Sequence, residues 1–72
     1  MATEQQMTSV SNQYYNLVSV LYHALQSSQT SAEYIKDAEK SGNQQLAQFL
    51  RQVQQEDSNR AQQAKQLLMQ MK

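Results

Sequence analysis

At 72 residues the chain has room for one domain, 1–72, and a domain this small buries only about 60% of the surface its unfolded form exposes, so it needs help from packing or a second copy. Six Lys and Arg balance six Asp and Glu, which excludes the basic footprint that holds proteins to phosphate backbones or anionic lipid; neither nucleic acid nor membrane is an expected partner. The absence of cysteine removes disulfides and thiolate metal sites from consideration.

Residues Met1 to Gln6 carry neither a basic region nor an apolar run, and no segment approaches the roughly 18 apolar residues of a membrane span, so the expectation is a soluble, cytoplasmic protein. Glutamine is over-represented, with 15 of 72 positions. These glutamines are interleaved with periodic apolar residues, and Gln favours helices, so they read as a solvated helix face rather than a disordered tract.

The first arm presents Met7, Val10, Tyr14, Leu17, Leu21, Ala24, Ser28, Ser31, Ile35 and Ala38 at alternating steps of three and four, widened by Val18, Leu25 and Ala32. This is heptad spacing, and it predicts a long helix. Thr3 followed by Gln6 has the form of a capping box, which places the start near residue 4 and the whole helix at about 4–40, roughly 54 Å of it. The hydroxyl-rich stretch Ser27 to Ser31 has poor helix propensity, and Thr30 with Glu33 offers a fresh capping box; a break there would make three helices of two. The uninterrupted phase of the seam favours one continuous helix.

Lys36, Lys40 and Gly42 mark the end of this arm, because cations suit the carbonyl end and glycine accepts a left-handed closing conformation. A turn at 41–43 follows, with Asn43 capping a second helix at about 44–71. Its stripe reads Leu46, Phe49, Leu50, Val53, Asp57, Arg60 or Ala61, Ala64, Leu67, Leu68 and Met71. So short a turn makes the arms antiparallel. The fold class is therefore all-α: an antiparallel helical hairpin expected to dimerise into a four-helix bundle, since two helices leave apolar strips uncovered.

Residues equally far from Gly42 lie side by side in such a hairpin, so Ser28 comes to the level of Glu56 and Ala24 to that of Arg60. A polar core layer of Ser28, Glu56, Asp57 and Arg60 is expected. Arg60 stands four residues after Glu56, in the favourable orientation for an ion pair, and three after Asp57; helix rotation decides between them. His23, the single histidine, lies beside the seam and next to Tyr22, and reads as a boundary residue that hydrogen-bonds locally. Tyr14 belongs to the seam, while Tyr15, Tyr22 and Tyr34 border it with wet hydroxyls. No serine has a histidine and an acid at activating distance, so no catalytic residue is predicted.

From Leu17 to Leu68, with Tyr34, the passage Ala38 to Ala47 and the following Phe49 and Leu50, the chain resembles the rubrerythrin-type helical hairpin of the ferritin-like superfamily. That resemblance implies a half-bundle in which the first helix supplies a Glu and the second a Glu-x-x-His to hold two metal ions. Glu56 matches the glutamate of the second motif, but Asn59 stands where the histidine belongs, and the first-helix ligand falls near Gln26 to Ser28, where there is no carboxylate. The resemblance thus implies a ferritin-like fold whose dimetal site is degenerate. The reading that follows is a non-enzymatic structural or protein-interaction module, a homodimer or the partner of another helical protein, with no cofactor. The alternative is a half-bundle that binds iron, manganese or zinc through Glu56, Asp57 and His23, with an oxidoreductase role.

Overall fold

A computed structural model describes residues 11–71 of the chain. Helix α1 spans Asn12–Lys40 and α2 spans Gln44–Gln70, packed side by side as a hairpin. Ser11 is extended (φ −66°, ψ 155°) and its side chain accepts from the Tyr14 amide at 3.2 Å, a standard N-cap that closes the helix at Asn12. Helix α1 as described starts at Asn12, and the expected start near residue 4, with the Thr3–Gln6 capping box, Met7 and Val10, lies outside the described residues.

The hydroxyl-rich stretch does not break α1. Thr30 turns its hydroxyl back onto the Gln26 carbonyl at 2.9 Å, which satisfies the donor within the helix and directs the side chain toward the preceding turn rather than toward the amides a new cap would serve. Ser19 does the same to the Tyr15 carbonyl.

The turn follows the sequence closely. Ser41 closes α1, the Gly42 amide donates to the Glu39 carbonyl at 3.0 Å, and the Asn43 amide donates to the Ala38 carbonyl at 2.9 Å. This paired closure is a Schellman motif, and it needs a left-handed residue, which Gly42 provides at φ 76°. Asn43 then accepts from the Leu46 amide at 3.1 Å and starts α2. One residue thus ends the first helix and the next begins the second.

The two helices meet along small residues. On α1 the buried positions are Ala24, Ser31 and Ala38; on α2 they are Ala47, Asp57, Ala61 and Ala64. Leu17, Leu21, Ser28 and Ile35 fill the α1 row half-buried, as Leu50, Gln54, Leu68 and Met71 fill the α2 row. Both rows advance by alternating threes and fours, the spacing that keeps one seam against a partner helix. Tyr14, expected in the first row, is exposed, but from Leu17 onward that row is the one the sequence indicates. The second is rotated from it: Ala47, with no exposed surface, and Gln54 face α1, whereas Leu46, Phe49 and Leu67 point outward, Phe49 with 59% of its surface accessible.

The reason is steric. With Ala24, Ser31 and Ala38 on one side, α2 gains most contact by presenting its own alanines, because small side chains let the backbones approach closely. The consequence is a thin core: every buried apolar residue among those described is alanine, and no large side chain is fully enclosed. Fully burying a Leu, Val or Phe is worth about 1.5–3 kcal/mol, and this hairpin leaves most of that gain unrealised.

Candidate functional site

Midway along the hairpin the alanine seam is interrupted by Asp57, which is 7% exposed. Its two carboxylate oxygens have different partners. Ser27 donates its hydroxyl to Oδ2 at 2.6 Å, from the opposite helix, and Arg60 donates Nη1 to Oδ1 at 2.7 Å from one turn further along α2. One contact ties the helices together and the other neutralises the charge. Both are needed, since a buried carboxylate is tolerated only when paired and hydrogen-bonded.

Arg60 is half exposed, its aliphatic stem leading from the seam and its guanidinium reaching the surface with donors left over. Beside this pair, Gln54 crosses the interface and donates Nε2 to the Ser28 carbonyl at 2.9 Å. That carbonyl already belongs to the helix and has a second lone pair to offer, so Gln54 gains a partner without disturbing α1. Nearer the turn, Arg51 and Glu39 form an exposed ion pair between the helices.

The expected polar layer is therefore present but differently composed. Asp57 and Arg60 belong to it. Ser28 contributes its backbone and not its hydroxyl, and the serine that enters is its neighbour Ser27. Glu56 is corrected outright: it is exposed, it lies one residue off the seam, and Arg60 turns to Asp57. Residues equally far from Gly42 do come side by side: Ser27 and Asp57 are both 15 residues from it and share a hydrogen bond, whereas Ser28 and Glu56, one residue nearer the turn, do not meet through their side chains. Ser27 was detectable as a hydroxyl bordering the seam opposite a carboxylate, and Gln54 as the polar member of an otherwise regular three-four row.

The residues named as possible ligands do not converge. Glu56 and His23 are both exposed, and His23 packs its ring edge-on against Tyr22 with centroids 5.4 Å apart at 69°. Among the described residues no three His, Cys, Asp or Glu side chains cluster closely enough to share a metal ion. Asp57, the one carboxylate buried in the seam, is already satisfied by Ser27 and Arg60, and Glu56 beside it is exposed, so these residues do not fit a dimetal centre.

The flanks of the seam differ from the seam itself. On one side, Leu21 and Leu25 of α1 and Ser58, Ala61, Gln62 and Lys65 of α2 border a shallow groove of about 330 Å³. On the other, where Ser27 and Arg60 each reach Asp57, Val20 and Tyr34 of α1 accompany Leu46, Val53 and Leu67 of α2; all but Val53 are exposed by more than 40%. No helix among the described residues is long and apolar enough to cross a membrane. Comparisons with protein-family models, with curated proteins and with solved structures return no match.

Proposed function

We propose that this chain is a non-enzymatic helical association module: a hairpin that pairs through its exposed apolar flanks into a homodimeric, ferritin-like four-helix bundle in which the metal site of that superfamily is degenerate. The observation that carries the reading is the inversion of side-chain size. Alanines are buried inside the hairpin, while Tyr34, Leu46, Phe49 and Leu67 face outward. Large apolar residues scattered singly on a surface need no explanation, but here they recur in rows along both helices, which is how an interaction face is written. The Ser27–Asp57–Arg60 layer serves register, as a buried polar layer does in helical bundles, and not chemistry.

Light scattering on the eluting protein tests this. A dimer of about 16.6 kDa, twice the 8.3 kDa of one chain, is the expected species, with a melting temperature that rises with concentration. A species of 8.3 kDa persisting up to about 0.1 mM, where any micromolar dimer is nearly complete, sinks the proposal.

A further inference from the structure

We infer that the second copy seats on the face carrying Val20, Tyr34, Leu46, Val53 and Leu67, running antiparallel to the first, with the two-fold axis crossing at the Ser27–Asp57–Arg60 layer. The inference rests on the self-association proposed above and adds to it a face, an orientation and a register.

The choice of face follows from what each helix contributes. In an antiparallel pair, positions just before one seam row on each helix share one flank, and positions just after the other share the opposite flank. Val20, Ser27 and Tyr34 precede the α1 row Leu21, Ser28, Ile35; Leu46, Val53, Arg60 and Leu67 precede the α2 row Ala47, Gln54, Ala61, Leu68. The Ser27 to Asp57 bond and the Arg60 guanidinium both lie on this flank. On either side of that polar centre it is apolar on both helices. On the opposite flank α1 offers Val18 and Leu25, but α2 answers with Arg51, Ser58 and Lys65.

The face is also large enough. Helix α2 has 27 residues, about 40 Å of axis, and the hairpin is 23 Å across, so one broad face offers roughly 900 Å², at the level of the ~800 Å² per partner of a standard stable interface.

A second copy fits because the face is self-complementary. Leu46 and Leu67 are equally far from a point between Glu56 and Asp57, and so are Val53 and Arg60; on the other helix Val20 and Tyr34 are equally far from Ser27. The 2.6 Å bond from Ser27 to Asp57 puts those two centres at the same height. A two-fold axis across the helices at that height therefore sets Leu46 against Leu67 of the partner subunit, Tyr34 against the partner's Val20, and Val53 against the stem of the partner's Arg60. The bulky turn end meets the slimmer open end. A copy with its turn at the same end would crowd two sets of Tyr34, Leu46 and Phe49 together and leave the Val20 end loosely filled. The two Arg60 guanidiniums fall on either side of the axis, each held by its own Asp57, so the layer stays neutral.

The chain has no cysteine, so introduced ones report contacts cleanly. Leu46→Cys and Leu67→Cys chains are mixed in equal amounts in a glutathione buffer and the disulfides resolved by mass spectrometry, alongside each variant alone. An excess of about tenfold of the mixed 46–67 disulfide over either like pair is expected, because only that pair comes within bonding distance. Equal amounts of mixed and like disulfides in a protein that remains dimeric overturn the face and orientation while leaving self-association standing. A monomeric wild-type protein overturns both. As a second readout, Leu67→Glu weakens the dimer at least about tenfold with helicity retained, while Leu25→Glu on the opposite flank changes it by less than about threefold; the reverse order overturns the inference.

Discussion

Changing Asp57 to alanine isolates the carboxylate-centred link inside the seam. The substitution removes the hydrogen bond from Ser27 at 2.6 Å and the ion pair with Arg60 at 2.7 Å. A hydrogen bond to a charged group contributes about 1.5–3 kcal/mol. The ion pair adds only about 0.2–1 kcal/mol, because Arg60 is half exposed and water screens it. Against these losses, alanine is a better helix former than aspartate by up to about 0.7 kcal/mol. Ser27 also has a fallback in its own helix, bonding a carbonyl one turn back as Ser19 and Thr30 do.

The expected net loss is about 2 kcal/mol, which lowers the melting temperature by roughly 8–16 °C in a domain of this size. Circular dichroism during urea and thermal unfolding, at one fixed protein concentration, measures it. A double-mutant cycle with Ser27→Ala is the sharper assay. The coupling between Ser27 and Asp57 is expected at about 1–2 kcal/mol and nearly independent of salt; additivity within about 0.3 kcal/mol refutes the claim that this bond joins the helices.

The neighbouring positions give contrasting outcomes. Glu56→Ala, one residue away but exposed, shifts stability by no more than about 0.5 kcal/mol in urea unfolding; a loss equal to that of Asp57→Ala would mean the wrong carboxylate has been placed in the layer. Replacing the ion pair as a unit, Asp57→Leu with Arg60→Leu, keeps the helicity and leaves the unfolding midpoint unchanged or higher, since an apolar pair needs no desolvation; a drop in midpoint argues that the pair stabilises outright. Ala47→Leu, at a position with no exposed surface, costs about 1–3 kcal/mol by overpacking the helix contact, whereas Ala32→Leu on the exposed side of α1 is close to neutral; equal effects by differential scanning calorimetry would show that the seam is not closely packed. Gly42→Ala costs about 1 kcal/mol from its left-handed φ of 76° alone, because an added Cβ meets nothing within 4 Å. Gly42→Asn recovers part of that loss in the same thermal melt, and a cost well above that figure would point to a steric clash the turn does not contain.

The outline of the hairpin is legible in the chain itself because its signals are local. Heptad-spaced apolar and small residues, a single glycine two residues after Lys40 and just before Asn43, and the lack of proline determine two long helices, the place where they reverse, and which levels come side by side. The seam of α1 was readable as well, since its alanines and serines occupy one narrow row. What the tertiary structure alone decided is the rotation of α2. Apolar residues at 46, 49, 50 and 53 cover so wide an arc that the periodicity permits more than one inward phase, and successive residues differ by only about 100° around the axis. The preference for the largest side chains pointed to Leu46, Phe49 and Leu67 alongside Asp57 and Ala61; the contact with an alanine-lined α1 kept Asp57 and Ala61 but put Ala47 and Gln54 inward instead of those three. That phase leaves Glu56 on the surface, sets Asp57 against Ser27 of α1, and turns the large residues of α2 outward, where another helix can cover them. Helix positions follow from spacing along one chain, but the phase of a helix depends on how closely two backbones can approach, and only the packed pair determines that.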